Sequence, residues 1–100
     1  MGASREQIVF DSVNKNGIRV VEFMPMGVCA QLIHIEIDAN KTIHKVAFMG
    51  GCSGNTQGIA SLVRGMDANE VIKRLDGIRC GQKQTSCPDQ LAQVLKLIVA

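Results

Sequence analysis

Gly50-Gly51-Cys52-Ser53-Gly54-Asn55 is the stretch at which the chain changes character, and the fold turns on it. Upstream, apolar residues recur with the two-residue period of strands; downstream they recur every three or four residues, the period of helices. Strands that precede helices instead of alternating with them indicate an α+β protein. The expectation is a small antiparallel sheet from the N-terminal half packed with two or three C-terminal helices.

Back from the glycines, Val28 to Asp38 alternates, which sets Cys29, Ile33, Ile35 and Ile37 on one face and His34, Glu36 and Asp38 on the other. On its apolar face Cys29 reads equally well as a buried small hydrophobe. His34 reads as a surface histidine and not as a ligand. Ala39-Asn40 makes a turn, and Thr42 to Met49 returns as a strand. A two-residue turn would set Ile35 opposite His44 and Ile33 opposite Val46, although Ala at its first position suits a longer one. Ile18, Val20 and Phe23 mark an earlier strand. Met24, Met26, Met49 and Met66 read as core fillers.

Forward from the glycines, a short helix runs from Asn55 or Thr56 to Arg64, with Ile59, Leu62 and Val63 at core spacing and Gly65 at its end. Asp67 and Glu70 open a second helix as a capping pair; Val71, Ile72 and Leu75 form its stripe and Gly77 ends it. After a polar loop from Ile78 to Ser86, Ser86-Cys87-Pro88-Asp89 opens a third helix carrying Leu91, Val94, Leu95 and Ile98.

One hundred residues leave room for one domain, 1–100, with residues 1–6 as a flexible tail. Apolar residues make up 46% and charged residues 20%, so a core can form. Eleven basic and nine acidic residues give a net charge of +2, too balanced to imply a nucleic-acid partner. Three phenylalanines without tryptophan or tyrosine give little for bases to stack on. No run reaches the roughly 18 apolar residues of a membrane span. The residues Met1 to Gln7 lack an apolar signal core, and Glu6 stands where a myristoylation signal wants Ser or Thr. The expected location is the cytoplasm, where thiols stay reduced and disulfides are disfavoured.

Cys29, Cys52, Cys80 and Cys87 are separated by 22, 27 and 6 residues, none of them a knuckle spacing. Their surroundings say more. Cys52 lies in a glycine-rich strand-to-helix loop, Cys80 precedes Gly81, and Cys87 stands at a helix start; each place offers free N–H groups to a thiolate. Four thiolates on one Zn²⁺ carry a net −2 that such amides, with Arg79 and Lys83, offset. An iron–sulfur cluster would use the same four donors. A redox or nucleophilic thiol is the alternative: a helix N-terminus favours the thiolate of Cys87, with Cys80 as its exchange partner. The glycine-rich stretch resembles an anion-cradling loop in outline but matches neither G-x-G-x-x-G nor G-x-x-x-x-G-K-[ST], leaving a nucleotide-binding module as the weakest alternative.

Gly27-Val28-Cys29, Gly50-Gly51-Cys52-Ser53-Gly54-Asn55, Gly77-Ile78, Cys80-Gly81 and Thr85-Ser86-Cys87-Pro88-Asp89-Gln90-Leu91-Ala92 together resemble the four-cysteine TSCPD family, over about residues 20 to 96. The family is similar to a module at the C-terminal end of adenosylcobalamin-dependent ribonucleotide reductases. The resemblance implies that Cys29, Cys52, Cys80 and Cys87 form a tetrathiolate set for a metal, zinc above all, with a nucleotide reductase as partner. It supplies no reaction. A ribonucleoside-diphosphate reductase activity would need a barrel, a radical cysteine and a cobalamin site for which this chain has no room. What it allows is a detached accessory or an electron donor to such a reductase.

Overall fold

A computed structural model describes residues 2–51 and 53–100. Among them the chain forms four strands, β1 (Ile8–Val13), β2 (Arg19–Phe23), β3 (Ala30–Ile37) and β4 (Ile43–Gly50). Three helices follow, α1 (Ser53–Val63), α2 (Ala68–Leu75) and α3 (Cys87–Val99). The strands pair in chain order as an antiparallel meander, β1-β2-β3-β4. The α+β architecture expected from the sequence is therefore the one observed.

The core lies on one side of the sheet. Val21, Phe23, Ile33, Ile35 and Ile37 project from the two central strands and Val46 from β4, against Val63 of α1, Ala68 and Val71 of α2, and Leu91, Val94, Leu95 and Ile98 of α3. Burying a side chain of this kind contributes about 1.5–3 kcal/mol each relative to leaving it exposed, so these two facing layers of residues hold the helices to the sheet. β1 lies upstream of every stretch that periodicity marks. It is an edge strand exposed along nearly its whole length, and its residues need no alternation to satisfy a buried face.

Two irregularities in the β3–β4 pairing alter faces that simple alternation predicts. Ile35 stands opposite Val46 and Ile33 opposite Phe48, two residues away from the register of a two-residue turn. The connection is longer because Asp38 organises it. Its carboxylate accepts hydrogen bonds from the Asn40 and Thr42 N–H groups at 2.9 and 3.0 Å, and Lys41 adopts a left-handed φ of 66°. Asp38 is thus a turn residue, not a member of the solvated strand face. The second irregularity falls between Ala30 and Leu32. It breaks the alternation, so Ala30 takes the buried position and Cys29 is exposed just ahead of the strand. Cys29 is not a core residue.

Met24, Met26 and Met49 are each more than half exposed, and only Met66 packs against the core. Leu62, placed in the core by helical spacing, is 76% exposed. α1 rests against β4 along a narrower stripe, with Thr56 and Val63 buried.

α2 starts where the sequence places it. Asp67 accepts hydrogen bonds from the Asn69 and Glu70 N–H groups at 2.9 and 3.3 Å. Around it, Ile43 N donates to Met66 O at 2.9 Å and Ala68 N to Lys41 O at 2.8 Å, tying the α1–α2 connection to the start of β4. Asp67→Ala is expected to cost about 1 kcal/mol. In a domain of this size that lowers Tm by roughly 4–8 °C in a thermal melt; an unchanged melt would mean that the strand contacts alone set the helix start.

Candidate functional site

The site is built on the loop between α2 and α3. Gly77, with φ 85°, ends α2 and turns the chain into Ile78 to Ser86. Cys80 N donates to Thr85 O at 3.1 Å and Lys83 N to Cys80 O at 3.0 Å, closing a turn in which Gly81 adopts φ 60°. Ser86 caps α3, accepting from Asp89 N at 3.1 Å and donating to Ile78 O at 2.6 Å, so that Cys87 opens the helix. Pro88 follows at a first-turn position, where its missing N–H costs nothing.

These elements enclose a cavity of about 150 Å³. Cys29, Cys80 and Cys87 all line it, from three separate segments, together with Arg79, Lys83 and the first-turn residues Asn55 and Thr56 of α1. Cys29 and Cys80 are exposed and Cys87 is partly buried. Cys52 lies outside the described residues. Its chain neighbour Gly51 packs against Ala30, the residue after Cys29: a Cβ there would lie 3.3 Å from Ala30 N. Among the described residues, no group of three His, Cys, Asp or Glu side chains is arranged so that it could hold a metal ion. The cavity thus brings three of the four sequence-predicted thiols around one space without closing them on a centre.

Beneath the thiols runs a buried polar network built on Thr85, Asp89 and Gln90 of the Thr85-Ser86-Cys87-Pro88-Asp89-Gln90 stretch. Asp89 is 2% exposed. One of its oxygens, Oδ1, accepts from Gly77 N at 2.7 Å and from Gln93 Nε2 at 2.9 Å, while Oδ2 accepts from the Thr85 hydroxyl. Gln90 Nε2 donates to Thr85 Oγ1 at 3.0 Å, and Gln90 Oε1 accepts from Met26 N at 3.2 Å. Gln93 also donates to Asp76 at 2.7 Å. Three thiol-bearing segments are moored to this network: the loop before Cys29 through Met26, the Cys80 turn through Thr85, and Cys87 through α3 itself. Among the described residues no buried side-chain N or O lacks a partner. The wider role of Asp89 and the burial of Gln90 and Gln93 are missed by a reading that follows apolar periodicity.

Burial alone would raise the Asp89 carboxyl; the hydrogen bonds from Thr85, Gly77 and Gln93 outweigh it and hold it below its ordinary value of 3.8. A group lowered by folding contributes stability above its unfolded value and loses that contribution as pH falls through the folded one. The chain is therefore expected to loosen at this site below about pH 4. In a titration followed by NMR, the Asp89 carboxyl carbon should have its midpoint below that of an unfolded peptide; a midpoint at or above it would remove the network's electrostatic role.

The histidines stand apart from the cavity. His34, on the outer face of the sheet, bridges Glu22 and Glu36 at 3.0 and 2.7 Å. Burial depresses its pKa, but the hydrogen bonds and charges of the two carboxylates prevail and raise it. That contribution is complete below the ordinary histidine value and disappears as pH rises through the folded one. His44 is exposed and pairs with Asp38 at 2.8 Å. No helix among the described residues is long and apolar enough to cross a membrane.

Comparison with curated proteins and with solved structures finds no match. The TSCPD domain model, by contrast, matches residues 9–99, taking in β1 as well as the stretch that carries the resemblance. With the match spanning all four strands, save Ile8 at the start of β1, and all three helices, the chain belongs to the TSCPD domain family.

Proposed function

We propose that the protein is a small metal-binding module in which Cys29, Cys52, Cys80 and Cys87 together hold one Zn²⁺, and that it works as an accessory in a larger assembly, such as one for ribonucleotide reduction. The observation that carries the reading is the shared cavity: Cys29 from one part of the chain and Cys80 and Cys87 from another line one space, and Gly50 and Gly51, just before the fourth cysteine, lie against the segment that bears Cys29. Donor chemistry fits the ion, because thiolates are soft ligands and tetrathiolate sites are a common structural form of zinc.

The bound ion would supply cross-linking of chain segments, without an open position for substrate. The chain's own groups meet the requirements of such a site. The positive end of the α3 dipole and the basic Arg79 and Lys83 at the cavity wall offset clustered thiolate charge. We place the module in the cytoplasm, where cysteines stay reduced and available to a metal. The test is metal content of protein purified without an affinity metal, with thiols counted before and after chelation. One zinc per chain and four thiols that become reactive only after chelation support the reading. Metal-free protein with four freely reacting thiols and an unchanged melt overturns it.

The second reading, a thiol redox partner, rests on Cys80 and Cys87 lining the same cavity with Cys80 exposed. Under it, Cys87→Ser abolishes thiol–disulfide exchange and leaves the fold intact.

A further inference from the structure

α1 is unlike the rest of the surface. From Ser53 to Val63 it carries no charged residue, although most of it is exposed. Solvent-facing helices ordinarily carry charge on the open face. Gly54 and Gly58 sit within it with open space where a Cβ would point, so neither is required by packing inside the chain. Both weaken the helix. Leu62 stands 76% exposed beside an apolar groove between α1 and α2, formed by Ile59, Met66, Val71 and Leu75.

The cavities that border this neutral helix carry charge of one sign. The cavities that touch α1 are lined by Lys45, Arg64, Arg74, Arg79 and Lys83, and by no aspartate or glutamate. Arg74 pairs with Glu70; the other four form no salt bridge among the described residues. A polynucleotide would use the charge but leave Ile59, Leu62 and Leu75 wet. A polypeptide with an apolar stripe and acidic flanks satisfies both features, and the small residues of α1 allow a backbone to come close.

We propose that the α1 face is a docking surface for an acidic amphipathic segment of a partner protein, whose apolar side chains enter the α1–α2 groove and whose carboxylates meet the basic ring. Ile59 lines both this groove and the thiol cavity, so the segment would lie across the mouth of the thiol site. The inference does not depend on the metal.

The test places a photo-cross-linking amino acid at Ser61 in the full-length chain, in the cells that naturally produce it. The expected adduct is with a protein segment that has more Asp and Glu than Lys and Arg, and apolar residues three or four apart. The combined change Leu62→Asp and Arg64→Glu, at two exposed positions, should reduce adduct yield at least about tenfold while the melt is unchanged. The same label at Ser12, on the opposite face of the sheet, should give none. An adduct with nucleic acid, with a second copy of the chain or with a segment lacking negative charge would overturn the proposal. So would yield no higher than at Ser12, or yield indifferent to the paired change.

Discussion

Asp89→Ala is expected to destabilise the protein by about 3–5 kcal/mol, because it strands two buried donors and a part-buried one at once, at about 1–3 kcal/mol apiece. The Gly77 N–H, the Thr85 hydroxyl and the Gln93 amide all point at one carboxylate that water does not reach. Their neighbours restrict relaxation: Thr85 also accepts from Gln90, and Gln93 already serves Asp76. Against a total stability of about 5–15 kcal/mol for a domain of this kind, the change brings the fold near its limit. In urea, where slopes run at about 1–3 kcal/mol per molar, the midpoint should fall by at least roughly 1 M. Asp89→Asn retains the shape and one acceptor oxygen, so it should fall between the two. A midpoint for Asp89→Ala equal to that of the unaltered chain would show that the network rearranges freely and does not hold the thiol segments.

Cys87→Ser is expected to have an effect of similar size on the metal-loaded protein. Cys87 is bound in place on two sides, by the Ser86 cap before it and the buried Asp89 after it. Removing its thiol therefore subtracts a ligand without freeing the segment to bring in another. A serine hydroxyl is a poor substitute, since structural zinc sites rely on thiolate sulfur or imidazole nitrogen. An ion present at a thousand times its Kd contributes about 4 kcal/mol to stability. Losing it should lower Tm by roughly 15–30 °C. Three behaviours should then coincide: the variant purifies without zinc, melts with chelated unaltered protein, and does not respond to chelator. Thiol exchange makes the opposite forecast, in which the variant melts like the parent and only its reaction with disulfides is lost.

Much of the helical half was legible because its determinants are local. Ser86, Pro88 and Asp89 announce α3 and Asp67 announces α2 through contacts within four residues, and Gly77 ends α2 by its left-handed backbone. The sheet was legible as a meander of the strands that alternate, but not in its register. That depends on the four-residue span from Asp38 to Lys41 and on the irregularity after Ala30, which one-dimensional periodicity does not register. The misplacement of Cys29 follows from the second of these, and the misplacement of Leu62 from a helix that buries a narrower stripe than its apolar residues would fill. β1 escaped notice because an exposed edge strand has no need to alternate. At the site, the cysteines were visible as residue types in glycine-flanked or cap positions, and the cavity collects Cys29, Cys80 and Cys87. The polar floor was not visible, since glutamines within an apolar helix give no period of their own; Gln90 and Gln93 acquire meaning only once Met26 and Asp76 are seen beside them.

Zinc X-ray absorption on natively purified protein addresses the convergence of sulfur most directly, since it counts the scatterers around the ion and measures their distance. A tetrathiolate centre gives a single shell of four sulfurs at about 2.3 Å. A shell containing nitrogen or oxygen, or fewer than four sulfurs, would contradict it.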